Sequence, residues 1–180
     1  MIQFRRSTRL TEFEARILAH LDGAYSLARF LMRNEHDAED VVQEATLRAF
    51  RFYDGFRGEN SRAWFLRVVR NTAYTALKRM SHREQEVEFD EELHTAEDAS
   101  AVPAIRIDQE LDRQAVREAI EELPPEFREV VALRELEGCA YKEIADITSV
   151  PVGTVMSRLA RARRQLSSIL AAKFPERASI

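Results

Sequence analysis

The chain has 180 residues, enough for one ordinary domain or two small ones, and 45% of them are apolar, enough to fill a core. Gly and Pro are scarce at five each, which favours helix over sheet, and no apolar run nears the roughly 20 residues that span a bilayer. A single cysteine, Cys139, excludes an intramolecular disulfide framework, the four scattered histidines lack metal-ligand spacing, and the net charge of −4 conceals alternating charge blocks.

Residues 1–10 are basic but lack the apolar stretch and cleavage site of a secretory signal, so none is expected. Apolar residues at Phe13, Ile17, Leu21, Ala24, Leu27, Ala28 and Leu31 recur at three and four and predict a helix over 11–33. A polar break at Asn34-Glu35-His36 follows. The next helix is expected to start near Asp37, with the Asp37 carboxylate as its cap. Ala38, Val41, Val42, Ala45, Ala49 and Phe52 form its apolar stripe, while residues 35–44 carry five acids and no Lys or Arg. Gly55 and Gly58 mark a loop over 54–60, and a long helix over 61–80 comes next. This is the first basic block, with nine Lys/Arg against two acids in residues 48–83.

From 81 to about 103 no period persists, and residues 84–126 carry fifteen acids against three arginines. That stretch reads as an acidic, flexible linker. Helix resumes near Ile107, with Leu111, Ala115, Ala119 and Leu123 on one stripe, and stops at Pro124-Pro125. Further helices are predicted over 126–136, 141–148 and 152–172, and the last lies in a second basic block. The expected fold is all-α: two small helical domains, 11–80 and 107–172, joined by the acidic linker 81–106.

Residues 141–166 combine a short helix, a tight break at Ser149-Val150-Pro151 and a longer basic helix. This is the helix-turn-helix pattern, whose second helix enters the major groove. Val152, Val155, Leu159, Ala162 and Leu166 face inward. Thr154, Ser157, Arg158, Arg161 and Gln165 lie on the other side, where arginine can pair with a guanine edge and Ser or Thr can reach bases or phosphates. An amphipathic helix with a charged outer face is the plain alternative, and the preceding helix and break argue against it. Cys139 sits in an apolar context and is expected to have no redox role. No nucleophile–base pair, phosphate loop or metal cluster is visible, so no enzyme activity and no cofactor are expected.

The run LPPEFREVVALRELEGCAYKEIADITSVPVGTVMSRLARARRQL, residues 123–166, resembles region four of extracytoplasmic-function (ECF) sigma factors of the sigma-70 family. LARFLMRNEHDAEDVVQEATLRAF, residues 27–50, and FRGENSRAWFLRVVRNTAYTALKR, residues 56–79, resemble region two. The resemblance implies a cytoplasmic protein that binds core RNA polymerase, through the clamp and flap of its large subunits. It also implies recognition and opening of promoter DNA, control by an anti-sigma factor in a stress or environmental response, and no membrane insertion. It points to Asp40, Gln43, Glu44 and Arg48 as polymerase contacts. Phe56, Asn60, Ser61, Arg62, Arg67, Arg70 and Asn71 match the part that reads the −10 element. Thr154, Met156, Ser157, Arg158, Arg161, Arg164 and Gln165 match the part that reads the −35 element. Trp64 is expected to anchor the core beneath the loop rather than stack on a base. The chain departs from the common pattern at Ser149, where many members have Gly, and at Met156, where many have Lys or Arg. Its loop is also one residue shorter between Gly58 and Trp64. The rival readings are a stand-alone helix-turn-helix regulator and an interaction module that titrates an anti-sigma factor.

Overall fold

The computed structural model describes residues 2–58, 60–87 and 107–173. Every regular element among them is helical: α1 (Ile2–Arg16), α2 (Leu21–Met32), α3 (Glu35–Phe52), α4 (Ser61–Val87), α5 (Ile107–Glu121), α6 (Pro125–Val131), α7 (Tyr141–Thr148) and α8 (Val152–Lys173).

The helix expected over 11–33 is broken. α1 ends at Arg16, a single 3-10 turn spans Leu18–His20, and α2 starts at Leu21. No Gly or Pro marks this break. Its cause is tertiary. Phe13 meets Phe50 and Tyr53 edge-on at 5.1 and 5.4 Å, and Arg9 pairs with Asp54 at 3.0 Å and donates to the Phe50 carbonyl at 2.7 Å. These contacts hold α1 against the end of α3 and set its direction apart from that of α2.

Asp37 is not the cap of α3. Asn34 is extended (φ −134°, ψ 136°), and its Oδ1 accepts from the Asp37 amide at 3.0 Å, so the helix starts at Glu35. Asp37 and Glu35 instead lie in the first turn, where the helix dipole favours negative charge. Asn60 plays the capping role for α4, accepting from the Ala63 amide at 2.9 Å. That helix continues to Val87, past the end expected at 80, so residues 81–87 of the expected linker are helical. The rest of the linker, 88–106, lies outside the described residues.

In the second half, Pro125 occupies the first turn of α6, where its missing N–H costs nothing. The helix then widens into a π-helical turn over Ala132–Leu136 and ends at Gly138, whose φ of 64° is left-handed. α7 and α8 meet across Ser149 with Val155, Leu159 and Ala162 turned into the core, as the helix-turn-helix pattern requires, whereas Val152, expected to face inward, is exposed at the start of α8.

The two halves are packed against each other. α2 lies against α6, and α4 lies against α7. One buried apolar cluster runs from Phe13, Leu27, Leu31, Phe65 and Val69 through to Leu133, Ile144, Ile147 and Leu159. Their approach is tight at Gly23 on α2, where an added Cβ would overlap the Glu137 carboxylate that follows the π-helical turn.

Candidate nucleic-acid interface

α8, the second helix of the helix-turn-helix, presents Met156, Ser157, Arg161 and Arg164 to solvent, with Met156 53% exposed. Thr154 and Gln165 are half-buried. Arg161 has no ion-pair partner among the described residues, and Arg164 reaches only the Ala160 carbonyl of its own helix, at 3.4 Å. Arg158 is placed differently. Its Nη1 donates to Glu129 Oε1 at 3.2 Å, with the Glu129 side chain fully buried. The outward face is therefore built around Arg161 and Arg164, and Arg158 bridges α8 to α6.

The residues that match the −10 reader line α4 and the loop before it. Phe56 stacks near Tyr53 at 6.4 Å and Trp64 at 4.9 Å, with the Arg16 guanidinium 5.2 Å from its ring. Trp64 is half-buried in this aromatic group, in keeping with an anchoring role. Ser61 Oγ lies 3.4 Å from His20 Nε2, and the exposed Asn71 accepts from Arg70 at 3.3 Å. Burial and the Arg62 charge both push His20 below its usual range.

The polar groups of this face engage the second half of the chain. Asn60 Nδ2 donates to Glu143 Oε1 at 2.8 Å. Arg62 donates to the Glu137 carbonyl and pairs with its carboxylate at 3.0 Å. Arg67 donates to the Asp146 carbonyl. Arg70 Nε donates to Glu129 Oε2 at 2.7 Å and lies 4.5 Å from the Tyr74 ring. Glu129 thus joins Arg70 of α4 to Arg158 of α8, and burial together with Glu129 raises the Tyr74 phenol. Glu143 is pulled below the usual carboxylate range by the Ala140 amide and then by Asn60. These acids escaped the sequence reading. Glu129 left one sign, since it sits one turn before Leu133 on the buried face of α6.

A third surface lies on α3. Asp40, Gln43 and Glu44 are exposed, and Arg48 pairs with Glu44 at 2.6 Å one turn on. Leu47, 64% exposed, continues this stripe; it lies outside the apolar stripe expected for this helix, and the sequence analysis gave it no role.

Residues 17–83 match the family described as Sigma-70 region 2, and residues 113–166 match Sigma-70, region 4. The ECF RNA polymerase sigma-E factor of Escherichia coli K12 is 39% identical over 140 residues, which are 73% of this chain and 73% of that protein. The chain belongs to the ECF sigma factors of the sigma-70 family. The ECF RNA polymerase sigma factor SigE of Mycolicibacterium smegmatis is 37% identical over 161 residues, covering 84% of this chain and 59% of that longer protein. Two solved structures resemble this sigma factor in fold. The sigma factor RpoE in complex with the anti-sigma factor NepR, from Bartonella quintana, has a TM-score of 0.71 and 26% identity, covering 88% of this chain and 96% of its own. CnrH in complex with the cytosolic domain of CnrY has a TM-score of 0.59 and 25% identity, covering 90% and 87%. Coverage of this extent takes in parts of both halves of this sigma factor.

Proposed function

We propose that this sigma factor binds core RNA polymerase through the exposed stripe of α3 and directs it to promoters, reading the −35 element with α8 and the −10 element with the loop 54–60 and α4. The observation that carries the reading is one chain bearing both an exposed acidic-apolar stripe on α3 and a helix-turn-helix whose outer face keeps Arg161 and Arg164 unpaired by carboxylates. On α3, Asp40 and Glu44 offer charges to a basic partner helix, Gln43 and Arg48 offer hydrogen bonds, and Leu47 offers an apolar anchor. On α8, Arg161 reads a base edge, Ser157 and Met156 contact neighbouring bases, and Arg164 with Thr154 and Gln165 fixes the helix on phosphates. Phe56, Asn60 and Ser61 form the pocket for an unstacked base, and Arg62, Arg67, Arg70 and Asn71 hold the strand backbone.

An anti-sigma protein is the fitting regulator, because both of the similar structures named above were captured as complexes, one explicitly with an anti-sigma factor. Such control suits a stress or environmental response in the cytoplasm, and among the described residues no helix is long and apolar enough to cross a membrane. No bond chemistry is assigned to the chain. Run-off transcription with purified core polymerase across genomic DNA tests the reading. Initiation at a discrete set of promoters is expected. Tight sequence-specific DNA binding by the chain alone, with no polymerase-dependent transcripts, would replace it with a stand-alone regulator.

A further inference from the structure

We infer that α1 belongs to the −10 site: its Arg9, Phe13 and Arg16 hold the loop after α3 in one form, and Arg16 is the positioning residue that fixes the Phe56 ring for an unstacked base. The inference rests on reading Phe56 as part of the base pocket, as proposed above. α1 itself ends before residues 17–83, the segment that matches region 2. Arg9, Phe13 and Arg16 are spaced four and three apart, so one face of α1 carries all three. Each meets the loop or the end of α3 at a different point. Arg9 pairs with Asp54 at 3.0 Å and donates to the Phe50 carbonyl at 2.7 Å. Phe13 is buried and meets Tyr53 edge-on at 5.4 Å, which anchors the residue before Asp54. Arg16 Nη2 donates to the Gly58 carbonyl at 3.3 Å, and its guanidinium lies over the Phe56 ring, 5.2 Å from its centre.

The Phe56 ring is thereby bounded by four neighbours. Tyr53 and Trp64 pack on it at 6.4 and 4.9 Å, and the Gly58 backbone is so close that an added Cβ would sit 3.0 Å from Phe56 Cε2. Tyr53, Gly58 and Trp64 are near Phe56 in sequence and can shift with the loop. Arg16 stands 42 residues before Gly58, on a helix that buried Phe13 fixes to the core. A loop with two glycines, Gly55 and Gly58, loses chain freedom when it closes on a base, and fixing it beforehand removes that cost. Arginine suits the task because its planar guanidinium can lie on a ring and donate a hydrogen bond at once, which a lysine ammonium cannot do.

The test uses holoenzyme reconstituted from core polymerase and the full chain. Promoter opening is followed with a fluorescent adenine analogue, which brightens on unstacking, placed at each non-template −10 position in turn. Arg16→Ala is expected to lower opening roughly fivefold and to flatten the preference shown in a randomised −10 library. Because Arg16 is exposed, circular dichroism, urea midpoint, polymerase capture and the −35 library profile should stay those of the parent. Arg16→Lys should recover only part of the loss. In a Phe56→Ala background, Arg16→Ala should add little, because it acts through that ring. Parent-like opening with a parent-like −10 profile in Arg16→Ala would overturn the inference. Full recovery by Arg16→Lys would also overturn it, by making Arg16 a plain charge on phosphate. An unchanged −10 profile in Phe56→Ala would instead overturn the reading of this loop as the base pocket.

Discussion

Ser149 holds a left-handed backbone, φ 58° and ψ 40°, at the end of α7, where its amide bonds back to the Ala145 carbonyl. A Cβ in that region costs on the order of 1 kcal/mol, which Gly avoids, though Gly brings more chain entropy to the unfolded state. Ser149→Gly is therefore expected to stabilise the protein by about 0.5–1 kcal/mol, read as a higher urea midpoint with unchanged slope. Arg158 tells the opposite way. Because it compensates buried Glu129, Arg158→Ala should cost about 1–3 kcal/mol in the same titration. Arg161→Ala, on the free outer face, should leave the midpoint alone and relax one position of a randomised −35 library in transcription. Equal effects of the two changes on stability would refute this division. Cys139 is a third case. Burial pushes its thiol up from 9.0 to about 11, with Arg62 opposing the rise, so the thiolate is scarce near neutrality. Maleimide labelling of the folded chain at pH 8 should be slow and should accelerate sharply in denaturant.

At the scale of elements, the stripe of α3 proposed to meet polymerase lies on exposed residues whose removal leaves the core untouched. Asp40→Lys/Glu44→Lys should keep the circular dichroism of the parent and weaken polymerase capture roughly tenfold or more. Leu47→Ala should weaken it as well, through lost apolar contact. Much of this layer was legible in the residues. The three- and four-residue spacing of Val155, Leu159 and Ala162 located α8, and Pro124-Pro125 located the start of α6. What the spacing could not carry were local choices decided by a few side chains. Asn34 outcompetes Asp37 as the cap of α3 because its extended backbone points Oδ1 at the third amide. The break after Arg16 depends on Phe50, Tyr53 and Asp54, which lie more than thirty residues away in sequence. Helical periodicity places Arg158 outside the apolar stripe and so offers it as a base reader, but it carries no information about Glu129 on another helix, which Arg158 meets at 3.2 Å.

For the whole molecule, the charge blocks announced two basic segments but not where their counter-charges would come from. An acidic linker was the obvious source. Among the described residues Glu44 of the first half serves Arg48, and the folded second half supplies Glu137 to Arg62, Glu129 to both Arg70 and Arg158, and Glu135 to Arg163, with Glu143 accepting from Asn60. This has a consequence in acid. The Glu143 carboxyl lies below its ordinary 4.5, held there by the Ala140 amide first and by Asn60 second. A carboxyl depressed by folding adds stability above its unfolded range and loses that contribution as pH falls through its folded value. Glu143→Gln should thus be less stable than the parent near neutrality, and the gap should narrow as pH drops below 4.5. Thermal melts of both chains across that range would show it, and a gap that widened in acid would contradict the assignment.

Gly23 gives these parts an unexpected relation. Mid-helix glycine ordinarily weakens a helix, and alanine in its place would strengthen α2 by roughly 1 kcal/mol. Here the same methyl would strike the Glu137 carboxylate that Arg62 holds. The carboxylate is the far end of a flexible side chain and can swing aside, so the cost falls on the Arg62–Glu137 pair rather than on the helix. Gly23→Ala should therefore make α2 harder to melt while loosening one polar tie to the second half. The bare backbone at Gly23 trades helix strength for room at that tie.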